Sequence, residues 1–246
     1  MVVDDVAMPV DEPALSFDVT AAAWLRPRLL RDGSVTSWVP SGYESYARLL
    51  HPAHRHDGQP VRWDQVAAET GRSMHPYIEW YQLVGSSDPL NFEGADWLGE
   101  APPRGLLPRQ AFETTLKVLE KHTTTPDACW MCLWEGYSWL WDSREHRSEV
   151  RDAPRVHLNR DCLLFAGTLK SALALEDWPV GDWTFAQSPN LFWPEDRSWV
   201  VSTDIEDTAS LIAGSAALVA DLVSTEGLEV WPVDPHASLE PHSDDL

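Results

Sequence analysis

The apolar residues of this chain lie in short segments that show both helical and strand-like spacing. None of these segments approaches the ~18–20 consecutive apolar residues that a membrane-spanning helix needs. With 246 residues, of which 43% are hydrophobic, the chain is long enough to bury a core without disulfide or metal support. The sequence therefore predicts a water-soluble folded protein with one large domain.

Helical features occur at five places. Trp63–Thr70 ends at Gly71, a usual residue at a helix C-terminus, and Arg109–Lys121 carries apolar residues at helical spacing. A short helix is also predicted over Tyr43–Leu50, between a Pro-Ser-Gly sequence and a His-Pro pair. The other two predicted helices are Pro76–Leu83 and one capped by Asp207 or Thr208, with Leu211, Ile212, Leu218, Val219 and Leu222 facing a core.

Strand-like segments dominate the second half of the chain. They are Ala128–Trp134, Arg155–Leu169, Ser198–Ile205 and Leu228–Val233. The last 40 residues thus have the order strand, helix, strand. This order predicts an α+β fold, with one sheet packed against several short helices, and a mixed α/β sheet is the alternative.

The net charge of −21 is concentrated at the two ends of the chain. Residues 1–18 hold five acids and no base, and residues 198–246 hold ten acids and no base. We predict an acidic N-terminal arm over residues 1–18, a single globular domain over 19–233 and a disordered acidic tail over 234–246. The Gly/Pro-rich residues 85–108 are predicted to be a surface loop or a subdomain junction.

This charge distribution argues against two classes of partner. A strongly negative surface repels nucleic-acid phosphates and anionic lipids, so neither direct nucleic-acid binding nor membrane binding is expected. A basic protein partner would be attracted, although solubility alone also explains the charge. The acidic N-terminus and the odd number of cysteines predict a cytoplasmic protein with reduced thiols.

The cysteines contain one candidate metal motif. Cys129 and Cys132 have the spacing of zinc ligands, and His157 with Cys162 would complete a Cys3His site. Residues i and i+3 of a strand point to opposite faces of the sheet, however, so the predicted strand would separate the two thiols. Buried thiols without a metal are the preferred interpretation.

The histidines at positions 51, 54 and 56 form a second cluster of possible metal ligands. They follow a predicted helix end and lack the i, i+4 spacing that places two imidazoles on one helix face. We therefore predict a solvated turn.

Fourteen tryptophans are several times the usual share, and many stand next to acids. Aromatic platforms with nearby carboxylates can form sugar sites, but packing is the more common role of large aromatic side chains. The chain has no Walker loop, GxGxxG, HExxH, GxSxG or EF-hand motif. No cofactor is therefore predicted.

Three stretches of the chain resemble an uncharacterised family of actinobacterial proteins. They are His122–Pro126, Cys129–Gly136 and Ser188–Asp204, and the resemblance extends from about Trp38 to Val233. It implies neither a fold nor an activity.

Four residues within these stretches are the candidate ligand-binding residues: Trp134, Glu135, Trp193 and Arg197. Glu135 ends an apolar run at a predicted strand edge, where it either lines a site or caps a turn. Arg197 follows a turn at Pro194, and its guanidinium can pair with Asp196 or Glu195 or bind an anion. The local salt bridge is the preferred interpretation.

Two functional hypotheses follow. The leading one is a cytoplasmic, non-enzymatic, acidic protein-binding module, with neutralisation of a basic partner, as immunity proteins do, as one version. The alternative is a small-ligand-binding protein or an enzyme with an aromatic pocket around Trp134, Glu135, Trp193 and Arg197.

Overall fold

The computed structural model describes residues 12–89, 96–138, 147–175, 179–180, 183–184 and 187–239. The helices are α1 (Trp63–Thr70), α2 (Trp80–Leu83), α3 (Arg109–Glu120), α4 (Arg147–Asp152) and α5 (Ala216–Ser224). The strands of the main sheet are β1 (Ala14–Leu15), β2 (Ser45–Leu50), β5 (Cys129–Trp134), β6 (Val156–His157), β7 (Asp161–Gly167), β10 (Leu191–Pro194), β11 (Val200–Ser202), β12 (Ala209–Gly214) and β13 (Val230–Pro232). Two small hairpins comprise β3 (Ala53–His54) with β4 (Pro60–Val61) and β8 (Pro179–Val180) with β9 (Trp183–Thr184).

Eight strands of the main sheet run in the order β1, β7, β5, β10, β11, β12, β2, β13, and the ninth, β6, pairs with β7. Every pairing is antiparallel. This sheet and its short helices confirm the predicted α+β fold. Within the described residues, no helix has the length and apolar content needed to cross a bilayer.

The first face of the sheet carries the largest core cluster. Ala47 and Leu49 of β2 point to this face, where they join apolar residues of α3 and α5 such as Phe112 and Leu222. Trp199 is fully buried here and packs against Phe192 with ring centroids 5.1 Å apart. The two longest helices therefore cover one side of the sheet.

The second face is covered by the chain before β2 and by α1 and α2. Leu25 packs over β5 and β10, Val39 packs over β2 and β12, and Trp63 and Trp80 pack beside Leu50. Trp63 and Trp193 are fully buried, which confirms packing as the role of these tryptophans. The second face thus has three separate apolar clusters.

The predicted helix over Tyr43–Leu50 is wrong, because most of this segment forms β2, which lies between β12 and the edge strand β13. Both faces of β2 are covered, and Tyr46 through Leu50 are all buried. Over eight residues, such a run of apolar side chains cannot be distinguished from one face of a helix.

The predicted helix after Asp207 or Thr208 begins too early. Ala209–Gly214 is a fully buried strand that pairs with β2, and α5 starts only at Ala216. The actual N-cap is Ser215, whose hydroxyl accepts a hydrogen bond from the Leu218 N–H at 3.1 Å. The C-terminal order strand, helix, strand is retained.

The other predicted elements agree with the structure to within a few residues. Trp63–Thr70 is α1 and ends at Gly71 in the left-handed region (φ +71°). Of Pro76–Leu83, only the last four residues are helical. The predicted strand over Ala128–Trp134 is β5, and Arg155–Leu169 contains β6 and β7.

The ends of the chain contribute to the fold where they are described. Ala14–Leu15, within the predicted N-terminal arm, pairs with the outer edge of β7. From the predicted tail, the Ala237 carbonyl accepts from the Val35 N–H at 3.0 Å. The remainder of the arm (1–11), the end of the tail (240–246) and the centre of the predicted junction (90–95) lie outside the described residues.

A glutamate from distant sequence caps α1. The Glu229 carboxylate accepts the Trp63 N–H at 2.7 Å and the Asp64 N–H at 3.0 Å. We expect Glu229→Ala to lower the free energy of unfolding by about 1–3 kcal/mol, because it removes both acceptors at a largely buried helix N-terminus. Urea denaturation measures this loss. Glu229→Gln, which keeps one acceptor oxygen, should lose less, and an alanine variant as stable as wild type would contradict the capping role.

Candidate functional site

A cleft of about 440 Å³ lies on the second face of the sheet. Its volume falls in the range of small-molecule sites, ~300–1,000 Å³. It is lined by Trp38, Arg48, Glu79, Trp80, Tyr81, Pro89, Arg104, Asp204, Glu206, Asp207, Thr208 and Leu239. Four carboxylates and two guanidinium groups are therefore combined with three aromatic side chains.

The walls of the cleft come from two of the apolar clusters on this face. Trp38, which follows the 3-10 turn Val35–Ser37, packs against the cluster around Val39. Trp80, on α2, belongs to the cluster around Trp63, with the two indole centroids 5.1 Å apart. The cleft lies where these two clusters do not meet.

Arg48 connects the sheet to one wall of the cleft. Its side chain is 2% exposed, and it donates to the carbonyls of Pro76 (3.3 Å) and Ile78 (2.8 Å). A third bond joins it to the Glu79 carboxylate at 2.9 Å. The guanidinium thereby fixes the segment that leads into α2, and with it the position of Trp80.

Asp207 lies in the turn before β12 and faces the cleft. Its side chain accepts the Ala209 N–H at 3.2 Å, and among the described residues it forms no ion pair. Burial raises the pKa of Asp207, and the nearby Asp204 adds to this effect while Arg48 opposes it. A half-buried carboxylate that forms no ion pair with any described residue is thus available to a ligand.

A close backbone approach holds the opposite lip of the cleft against this turn. The Gly105 N–H donates to the Asp207 carbonyl at 3.0 Å, and Gly105 has a φ of +68°. A Cβ at Gly105 would lie 2.8 Å from the Ile205 Cα, so only glycine allows this contact. The contact places Arg104 at the cleft, although it lies about 100 residues away in sequence.

The other carboxylates of the cleft are partly neutralised by arginine. Asp204 accepts two hydrogen bonds from Arg160, at 2.9 and 3.1 Å. Glu206, at 75% exposure, lies 3.6 Å from the same guanidinium. The arrangement of aromatic walls and surplus negative charge is suited to a small cation with an apolar part.

Two of the predicted site residues, Trp134 and Glu135, lie together at the end of β5. The Trp134 ring packs edge-on against Tyr137, with centroids 5.3 Å apart, and the Arg160 guanidinium lies 5.4 Å from its centroid. Glu135 forms a 2.6 Å ion pair with Arg155. These contacts tie both side chains to their neighbours.

The other two predicted site residues lie at the opposite end of the same strand pair. Trp193 pairs in register with Trp130, four residues before Trp134, which corresponds to about 13 Å along the strand. Trp193 is fully buried, and Arg197 lies in the turn beyond it. The structure therefore does not bring all four residues into one pocket, and the cleft contains none of them.

The three cysteines are buried on both sides of the sheet. Cys129 belongs to the core of the first face, and Cys132 and Cys162 belong to the second. Burial raises the pKa of Cys129 and of Cys162 to about 12. His157 is exposed and bonds Asp161 at 2.7 Å. Among the described residues no three such side chains form a metal-binding group.

The prediction of a solvated turn is wrong for His51, which is fully buried. Its Nδ1 lies 2.9 Å from the Pro103 carbonyl and its Nε2 lies 2.9 Å from the Ser210 hydroxyl. Since a carbonyl only accepts, Nδ1 carries the proton and Nε2 accepts from Ser210. Burial and the nearby Arg48 lower the pKa of His51 to about 4, despite its bond to Pro103.

Sequence reasoning missed the cleft because its residues come from distant segments. The cleft residues meet only when β2 lies next to β12 in the sheet; they include Trp38, Arg48, Trp80, Arg104 and Asp207. The acidic run around Asp207 is the one local signal of the cleft, and the sequence pattern there predicts a helix cap instead.

No protein-family model, curated protein or solved structure matches this chain. The resemblance to an actinobacterial family stays a prediction.

Proposed function

We propose that the protein binds a small organic cation in the cleft. The Asp207 carboxylate faces the positive charge, and Trp38 and Trp80 contact the apolar part of the ligand. The observation that carries this proposal is a half-buried carboxylate without an ion pair among the described residues, placed between aromatic walls. This function corresponds to the small-ligand hypothesis of the sequence, at a different place in the fold.

The charge of the cleft and its aromatic walls both support a cationic ligand. The cleft contains more carboxylates than guanidinium groups, so an anion would meet net repulsion. Cations are also attracted to the faces of Trp and Tyr rings within about 6 Å of the centroid. A neutral ligand would leave the Asp207 carboxylate desolvated without compensation.

The first experiment uses benzyltrimethylammonium as the cationic probe and benzyl alcohol as a neutral comparison. Titration calorimetry and tryptophan fluorescence measure both affinities. We expect saturable binding of the cation and at least tenfold weaker binding of the alcohol. Equal affinity for the two probes, or no binding of the cation, would refute the proposal.

Asp207→Asn is expected to weaken binding of the cationic probe at least tenfold, about 1.4 kcal/mol. It should also raise the melting temperature at neutral pH, because burial disfavours the ionised form of Asp207 in the fold. Asparagine keeps an oxygen to accept the Ala209 N–H. Calorimetric titration and thermal unfolding of the same sample measure both effects.

The matched control for this variant is Asp221→Asn. Asp221 lies on α5, outside the cleft, where it is 57% exposed and pairs with His122. The Asp221→Asn variant should leave the affinity for the probe unchanged. Equal loss of affinity in both variants would assign the binding to general surface charge and not to Asp207.

The net charge of −21 favours a second candidate function, that of an acidic cytoplasmic module that binds a basic protein, in the manner of immunity proteins. Its test is affinity purification from a lysate of the natural host at low and high salt. A stoichiometric basic protein that is lost at high salt would support this function. A preparation without such a partner would contradict it.

A further inference from the structure

Two arginines on the second face of the sheet lie against one tryptophan ring. The guanidinium carbon of Arg28 is 5.6 Å from the Trp24 ring centroid, and that of Arg197 is 5.1 Å from it. The Trp24 ring is held in turn by the buried Trp193, edge-on, with centroids 6.0 Å apart. Both guanidinium groups therefore lie within 6 Å of the centre of one aromatic ring.

Neither arginine has a carboxylate partner among the described residues. This is unusual in a chain with 39 acids and 18 bases, since most arginines have acids within reach. Both side chains are exposed, and Arg26 and Arg31 add positive charge in the same stretch of chain. Residues 19–31 thus hold three arginines and no acid, in contrast to the acidic character of the chain as a whole.

The carboxylates closest in sequence are occupied by neutral donors. Glu195 accepts from the Trp130 indole at 2.5 Å, and Asp196 accepts from the Thr124 N–H at 2.6 Å. Asp32 accepts the Ser34 hydroxyl at 2.6 Å, and Asp18 accepts the Thr20 N–H at 2.9 Å. The salt bridge predicted between Arg197 and Asp196 or Glu195 is therefore wrong, because other groups bind both carboxylates.

Arg197 also has an unfavourable backbone conformation. Its φ is +54°, and among the described residues no other non-glycine residue has a positive φ. The turn is fixed from both sides, since the Arg197 N–H donates to the Pro194 carbonyl and the Tyr43 hydroxyl donates to the Arg197 carbonyl, each at 2.9 Å. Glycine would adopt this conformation without strain. The feature that arginine provides at this position, and glycine does not, is the guanidinium group.

We propose that Arg28 and Arg197 form a binding site for an oxyanion, such as the phosphate or sulfate group of a small ligand. Guanidinium groups bind phosphate oxygens through paired N–H bonds, and an anion between them relieves the repulsion of the two charges. The Trp24 ring holds both side chains in place. This site is distinct from the cation-binding cleft, which contains neither arginine.

The test uses inorganic phosphate as the probe, with sodium chloride at equal ionic strength as the reference. We expect phosphate at tens of millimolar to raise the melting temperature by about 2–4 °C above the chloride value. Arg197→Gly should abolish this rise and yet melt in chloride at or above the wild-type temperature, because it removes backbone strain. Arg28→Gln should also abolish the rise.

Two control variants accompany the test. Arg151→Gln removes an exposed arginine that pairs with Asp152 on α4, and Asp207→Asn changes the cleft. Both should retain the full phosphate effect. A phosphate effect that persists in Arg197→Gly and Arg28→Gln, or its absence in wild type, would overturn the site.

Phenyl phosphate separates recognition of the oxyanion from stacking on the ring. Equal loss of inorganic phosphate and phenyl phosphate binding in the two arginine variants supports an oxyanion site. Phenyl phosphate binding that survives in both variants assigns recognition to the Trp24 ring and overturns the proposed role of the arginines.

Discussion

Arg48→Ala is expected to lower the free energy of unfolding by about 2–4 kcal/mol, because two backbone carbonyls lose their donor and each unsatisfied buried acceptor costs about 1–3 kcal/mol. The substitution removes the donor to the Pro76 and Ile78 carbonyls and the ion pair with Glu79. It also removes packing against Trp63, whose ring centroid lies 5.8 Å from the guanidinium. Urea denaturation monitored by tryptophan fluorescence measures the change.

The same variant should disturb the cleft, because Arg48 fixes the segment that leads into Trp80. The matched control is Arg55→Ala. Arg55 pairs with Glu69, but both side chains are more than 40% exposed, and exposed pairs contribute at most about 1 kcal/mol. Similar losses in the two variants would refute a special role for the buried arginine.

Acidification from pH 6.5 to pH 4 is expected to remove about 3 kcal/mol of stability through His51 alone. An unfolded histidine binds a proton near pH 6.5, whereas burial keeps His51 neutral in the fold until about pH 4. The stabilising effect of the neutral imidazole is therefore complete above pH 6.5 and is lost as the pH falls through this window. Urea denaturation at pH 7, 5.5 and 4.5 measures the loss.

His51→Gln isolates this contribution from the other titrating groups. Glutamine has a donor and an acceptor for the Pro103 carbonyl and the Ser210 hydroxyl, but it does not titrate. The variant should be less stable than wild type at pH 7, and the difference should shrink toward pH 4.5. A constant difference over this range would show that His51 does not titrate as its burial implies.

Arg48 and His51 are both buried polar side chains that bond the backbone of a distant segment. Arg48 lies on β2 and His51 directly follows this strand, and each forms a hydrogen bond that connects a loop to it. Arg48 holds the entry to α2, and His51 holds Pro103, near the lip of the cleft. Strand β2 and the residue after it therefore position two sides of the candidate site through buried polar groups.

Two carboxylates of the C-terminal part also form contacts within the fold. The sequence places most of the negative charge at the chain ends, which favours a surface that attracts a basic partner. In the fold, Glu229 caps α1 and Asp204 binds Arg160. These acids are engaged within the molecule, whereas Asp207 is left facing the cleft. This difference is why we place the small-ligand function first.

The sequence by itself determined those elements whose signals are local. Helix α1 has its glycine terminator, α3 has an uninterrupted helical period, and β5 has a short apolar run between turns. From these and the C-terminal strand–helix–strand order, the α+β class follows. The alternation of side chains along a strand likewise separates Cys129 from Cys132 without reference to any other part of the chain.

The tertiary structure decided what depends on contacts between distant segments. Whether Tyr43–Leu50 is a helix or a strand is set by β12 and β13 on either side of it, because short apolar runs satisfy both patterns. The cleft, the neutral His51 and the Arg28–Trp24–Arg197 cluster also require residues up to about 200 positions apart. Burial and hydrogen bonding, which set the chemistry of these groups, arise only when the sheet brings those segments together.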